Sequence, residues 1–132
     1  VTEELWTQLN YTETMPSMKD YFAALHKALW GQQVPIHHNF SLLKVNTLLQ
    51  EAVLKPSLFD VIFFDAFAPG KQPEMWEVLQ LQKVISSMKK SAVFVTYCAR
   101  GQLKRDLREL GLMVDSLAGP PGKREMIRAI KQ

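Results

Sequence analysis

Residues 59–64, FDVIFF, restrict the fold more than any other stretch of this chain. After Asp60 no polar side chain interrupts the run. A continuous apolar run of this length suits a strand buried on both faces, as in a parallel sheet. The run ends in one carboxylate, Asp65, and the chain then turns through Phe67, Pro69 and Gly70. Ligands of open α/β sheets bind outside the carboxyl ends of the strands, which makes Asp65 a candidate functional acid. The plainer reading is an acid that caps the following turn, and position alone leaves both open.

The rest of the chain alternates helix and strand. Residues 2–10 predict a helix with Leu5, Trp6 and Leu9 on one face, interrupted before Pro16. Ser17 is placed to cap a second helix striped by Met18, Phe22, Leu25 and Leu29 and closed at Trp30 and Gly31. Residues 40–45 read as a short strand and 48–54 as a helical turn ended at Pro56. Pro73 and Glu74 predict a helix start, and Met75, Val78, Leu81, Ile85 and Met88 hold one face through Lys90. Residues 92–98 read as the next buried strand, and Leu103, Leu107 and Leu110 stripe a helix stopped at Gly111. Residues 112–117 and 125–131 read as strands joined by a GPPGKR turn. The fold class predicted is α/β, with a mostly parallel sheet and an antiparallel C-terminal hairpin.

Length and composition exclude several classes. A chain of 132 residues suits one small domain. Its 47% hydrophobic and 22% charged residues are those of a soluble globular protein. No apolar run approaches the roughly 20 residues a membrane span needs, and the acidic, amphipathic start VTEELWTQLN does not resemble a signal peptide. A single cysteine, Cys98, forms no internal disulfide and reads as packing, so the expected location is cytoplasmic. The net charge of +3 is concentrated from Arg100 onward, in Arg100, Lys104, Arg105, Arg108, Lys123, Arg124, Arg128 and Lys131. That asymmetry fits a polyanionic partner or, more simply, a solvated helix face and hairpin rim.

The chemistry around Asp65 narrows by elimination. A haloacid dehalogenase-type phosphatase needs a second Asp two residues on, where Phe67 stands. No G-x-S-x-G nucleophile elbow is present. A metal is not expected, because His37 and His38 diverge if they lie in a strand and His26 sits alone in a helix. Trp6, Trp30 and Trp76 read as core or rim. What remains is an acid that positions or deprotonates a nucleophile beside an aromatic that can pack on a flat ring, a description that amine or base methylation fits.

FDVIFFDAFAPGKQPEMW, VTYCARGQLKRDLRELG and LAGPPGKREMIRA, in that order, closely resemble the tRNA wobble-uridine methyltransferases that complete 5-methylaminomethyl-2-thiouridine, the MnmC/MnmD type. The resemblance covers residues 59–131, and ALHKALW and NFSLLKV match more loosely. It implies a Rossmann-like methyltransferase sheet and S-adenosyl-L-methionine as cofactor. Carried over, Asp65 holds or deprotonates the aminomethyl nitrogen of the wobble uridine, and Phe67 and Pro69 shape the pocket. The same segment, Asp65, Ala66 and Phe67, lies beside the methyl donor. Arg100, Lys123 and Arg124 are the residues expected to meet tRNA. The GPPG turn is equally readable as a stiff hairpin corner.

The glycine-rich cofactor turn of that family, E-x-G-F-G-T-G-x-N in form, is missing, and Val45-Asn46-Thr47 offers no carboxylate where the family often has Gly-Asp. The expectation is therefore the C-terminal portion of one methyltransferase domain, without its first two strands and inactive alone. In the family order 3-2-1-4-5-7-6 this leaves two unpaired strand edges. An accompanying oxidase domain or self-association through those edges is possible on this reading. Two alternatives stand beside it: a non-catalytic α/β remnant binding RNA or protein through its edge, and an aminopropyl transferase.

Overall fold

The computed structural model describes residues 2–132 and falls into two compact units, one running to Thr47 and the other Leu48–Gln132.

The first unit carries short helices α1 (Glu3–Thr7), α2 (Tyr11–Thr14) and α3 (Lys19–Lys27), then strands β1 (Gln33–His37) and β2 (Phe40–Leu43). The single helix expected over 2–10 is thus shorter, and a second one follows it. Ser17 does not cap. It lies inside a 3₁₀ turn, Pro16–Met18, that runs directly into α3. His26 packs between aromatic rings, stacked on Trp6 at 5.1 Å and edge-on to Phe22 at 4.5 Å. The Lys44 ammonium donates to the carbonyls of Leu25 and His26, near the C-terminal end of α3 where the helix dipole favours a cation.

The strand expected at 40–45 exists, but its partner is β1, antiparallel, in a separate two-stranded sheet. His38 and Asn39 form the hairpin corner. The two histidine rings therefore do not diverge: their centroids lie 3.8 Å apart.

The second unit is built on a four-stranded sheet in the order β3-β4-β6-β5, from β3 (Phe59–Phe63), β4 (Met88–Thr96), β5 (Leu112–Ala118) and β6 (Glu125–Lys131). β3 and β4 are parallel; β6 is antiparallel to both β4 and β5. Helix α4 (Val78–Ser86) connects β3 to β4, and α5 (Gly101–Glu109) connects β4 to β5. Their apolar stripes, Leu81, Val84 and Ile85 on α4 and Leu103 and Leu107 on α5, join Phe94, Ile127 and Ala129 of the sheet in one buried core. Full burial of a Leu or Phe side chain stabilises by about 1.5–3 kcal/mol, so this face holds the unit together. Gly111, at φ +85, supplies the left-handed residue that ends α5.

Two expectations change here. The stripe expected to stay helical through Lys90 ends at Ser86, because buried Ser87 bonds its hydroxyl back to the Val84 carbonyl at 2.6 Å. Met88 is fully buried, as the stripe implied, but from a strand. The stretch 48–54 is a single turn, with the Leu48 carbonyl accepting from the amides of Glu51 and Ala52.

The strand expected to be buried on both faces is instead an edge strand. Among the described residues β3 pairs only with β4, and on the face away from the core Val61 is 48% and Phe63 79% exposed. Only Ile62 and the adjoining Phe64 turn toward the core. Among the described residues, no helix is long and apolar enough to cross a membrane.

Candidate active site

Asp65 stands at the carboxyl end of β3, and its position is set by the residue before it. The Phe64 amide donates to the Val95 carbonyl at 2.8 Å, which carries the β3–β4 ladder one step past the strand. The Phe64 ring is buried against Phe94 (5.4 Å) and meets Trp76 edge-on (5.1 Å). Strand alternation then turns Asp65 outward, where it is exposed. The loop beyond is held from below, since the Trp76 indole N–H donates to the Phe67 carbonyl at 2.8 Å. Trp76, in a 3₁₀ turn (Pro73–Trp76), is therefore a positioning residue for the Asp65 loop.

The carboxyl end of β4 faces this loop. A cavity of about 370 Å³ is lined by Asp65, Ala66, Ala68 and Pro69 from one side, by 96–100 from the other, and by Lys123 from the β5–β6 hairpin. Asp65, Ala66, Pro69, Arg100 and Lys123 thus line one cavity. The Arg100 guanidinium lies over Gly70, where an added Cβ would sit 3.7 Å from it. A second, open cavity of about 520 Å³ joins Tyr97 and Ala99 to Lys123, Arg124 and Glu125. Arg124 belongs to this one.

Phe67 is different. Its ring is 77% exposed and lines neither cavity. Tyr97, which lies in the VTYCARGQLKRDLRELG motif but carries no predicted site role, lines both. The signal was the alternation at the end of β4, with Thr96 inward and the next residue outward.

The hairpin is fastened to α5. The Lys104 ammonium pairs with Glu125 at 2.8 Å. This hydrogen bond and its charge hold the Glu125 carboxyl below its ordinary value, with Arg124 adding to the effect. Gly119 and Gly122 shape the corner: Gly122 has φ +87, and a Cβ on Gly119 would fall 2.5 Å from the Lys123 carbonyl oxygen.

A third, mostly apolar cavity of about 400 Å³ runs along the free edge of β3, with Leu49, Leu54, Val61 and Phe63 in its lining and Asp65 at one end. Its polar side chains are Asp65 and Ser87, and the Ser87 hydroxyl is already engaged. Asp65 and the neighbouring phenyl rings suit a cationic group. Asp65 is the one carboxylate in this lining that could accept from a ribose hydroxyl, and the rest of its side chains are apolar apart from the engaged Ser87, so these residues do not make a complete nucleoside-cofactor site.

The order β3-β4-β6-β5, with the last strand inserted antiparallel between its two predecessors, is the 4-5-7-6 half of a Rossmann-like methyltransferase sheet. An acid at the end of the first of these strands completes the outline of that class. The chain belongs to the S-adenosyl-L-methionine-dependent methyltransferase family, whose model matches residues 14–132.

Similar proteins include the tRNA 5-methylaminomethyl-2-thiouridine biosynthesis bifunctional protein MnmC of Aliivibrio fischeri, 40% identical over 70 residues. The proteins of that name from Pseudoalteromonas atlantica and Acinetobacter baylyi are 36% identical over 73 residues and 33% over 79. The matched segments cover 53%, 55% and 60% of this chain but only 10%, 10% and 13% of those relatives. A crystal structure of MnmC2 from Aquifex aeolicus superposes with a TM-score of 0.57 at 26% identity, over 66% of this chain and 29% of that one.

Proposed function

We propose that this chain is the substrate-facing, C-terminal portion of a methyltransferase domain that methylates the aminomethyl nitrogen of the wobble uridine in tRNA. The observation that carries the reading is one cavity in which an acid, Asp65, faces the cations Arg100 and Lys123 at the carboxyl ends of two parallel strands. The relatives' names support the substrate, and the free edge of β3 supports a longer domain whose further strand pairs there.

The family's donor brings an already activated methyl, so the protein's task is placement. The Asp65 carboxylate would accept an N–H from the substrate amine, aim the lone pair and offset the positive charge the nitrogen gains as the methyl leaves the donor's sulfonium, which departs as a neutral thioether; the surplus ammonium proton would pass to Asp65 or to solvent. Ala66 and Pro69 bound the cavity, and Phe67 closes over it from the rim in the complete protein. Arg100, Lys123 and Arg124 take phosphates of the anticodon arm. The ribose and adenine of the donor are held by residues outside this unit. The protein acts in the cytoplasm, and the relatives' designation as bifunctional supports an accompanying second activity, for which an oxidase domain is our reading.

A second reading, an α/β module that binds RNA or protein through its edge, is favoured by the exposed Val61 and Phe63. Methyl transfer from labelled S-adenosyl-L-methionine to hypomodified tRNA by the full-length protein separates the two. Asp65→Asn should lower turnover by about 10²–10⁴-fold with unchanged melting. No methyl transfer by the wild type, or full turnover by the Asn variant, would overturn the reading.

A further inference from the structure

Tyr97 is an aromatic residue that the fold does not use. It is 49% exposed, and among the described residues its ring meets no other ring and its hydroxyl makes no hydrogen bond. Its outward orientation is imposed from both sides. Thr96 is buried, its hydroxyl accepts the Cys98 amide at 3.1 Å, and Cys98 packs against the core. With both neighbours turned inward, the residue between them faces out.

What it faces is specific. Tyr97 lines the cavity that holds Asp65 and the open cavity that holds Lys123 and Arg124. It also lines an apolar cavity of about 210 Å³ with Phe63, Val95 and Met126. The half-exposed Tyr97 ring thus borders one cavity shared with the Asp65 carboxylate and another shared with Lys123 and Arg124. That sequence of groups matches a nucleotide extruded from its strand: a flat base, an amine substituent toward the acid, and phosphates toward the cations. Phe67, the aromatic expected to meet the base, lines none of these cavities.

We propose that Tyr97 is the platform on which the target base stacks while Asp65 holds its amine. The proposal rests on the tRNA reading above. It makes Tyr97 a substrate-binding residue that sets the register of the base and takes no part in proton transfer.

The test is the affinity of the full-length protein for a hypomodified anticodon stem–loop RNA across a sodium chloride series. Tyr97→Ala and Tyr97→Leu should weaken binding roughly 5- to 150-fold, the range of one base–aromatic stack, equally at every salt concentration. Tyr97→Phe should stay within about twofold, since it keeps the ring. A Lys123→Ala/Arg124→Ala variant should instead flatten the salt slope by about one unit for each phosphate no longer neutralised. The sharpest readout is the same RNA with an abasic wobble position: wild type should bind it as weakly as Tyr97→Ala does, and the variant should not distinguish the two RNAs. Wild-type binding with Tyr97→Ala unaffected, or Tyr97→Phe as weak as Tyr97→Ala, overturns the platform alone. A wild type that binds neither RNA at any salt overturns the tRNA reading and the platform with it.

Discussion

Gly119→Ala strikes the site without touching it. The added methyl would meet the Lys123 carbonyl oxygen at 2.5 Å, its Cβ at 2.8 Å and its carbonyl carbon at 2.9 Å. Ordinary contact begins near 3.4 Å, and the obstacle is backbone, so a side-chain rotation does not relieve it. Overpacking of this kind costs about 1–3 kcal/mol. The corner has one escape, which is to open. Opening gives up the Gly119 amide bond to the Arg124 carbonyl (3.2 Å) and the Lys123 amide bond to the Pro120 carbonyl (2.9 Å). At about 0.5–1.5 kcal/mol each, that route costs about the same, so the variant should lose about 1–3 kcal/mol locally. Opening also takes Lys123 out of its cavity. Hydrogen exchange of the 119–125 segment in the full-length protein should rise about 5- to 150-fold, following that range. Gly70→Ala is the control: its methyl meets only the Arg100 guanidinium at 3.7 Å, so exchange should not change. Unaltered exchange of 119–125 in Gly119→Ala would refute the reasoning, because the corner would then tolerate a Cβ.

Trp76→Phe keeps an aromatic ring beside Phe64 and removes the N–H that holds the Phe67 carbonyl. Methyl transfer should fall about two- to twelvefold, the equivalent of one hydrogen bond of about 0.5–1.5 kcal/mol, and melting should drop because a buried core ring is truncated; an unaffected rate at a temperature where the variant is folded would remove Trp76 from the positioning of Asp65. The Lys104–Glu125 pair predicts an acid-sensitive hairpin. Because the folded state holds Glu125 below its ordinary value, the stabilisation is complete above the ordinary carboxylate range and disappears as pH falls through the lowered value. Amide resonances of 122–125 should therefore shift on acidification below that range, and Lys104→Met should move the midpoint back up toward the ordinary value.

The sequence is most readable where one local rule decides the outcome. Leu103, Leu107 and Gly111 define α5 and its end through spacing and a left-handed stop, and the GPPG corner announces the β5–β6 hairpin. Met88 shows the limit: it continues the α4 stripe, yet a hydroxyl one residue earlier ends the helix and the same side chain enters the core from a strand. The β1–β2 hairpin leaves little trace in the sequence because its corner, His38-Asn39, has no glycine and Pro35 lowers the strand signal. For β3 the element type is legible and the burial is not, since burial depends on what lies beyond its free edge. At the site, Asp65, Arg100 and Lys123 stand in motifs and converge on one cavity. Tyr97 stands in the same motif as Arg100, which assigns it no role. Its direction follows from two inward neighbours, a fact of packing that only the assembled sheet reveals.

The insertion of β6 between β4 and β5 governs when this unit becomes whole during synthesis. When Thr96 has left the ribosome, β4 has only β3 beside it, and its other edge waits for a strand that ends 35 residues later, at Lys131. At about 5–20 residues per second, the wait is on the order of seconds, far longer than the microseconds in which the local β5–β6 hairpin closes. The hairpin should therefore arrive preformed and dock as a unit. Until it does, Lys123 is absent from the Asp65 cavity, and Arg100 is the one cation of that lining already in place.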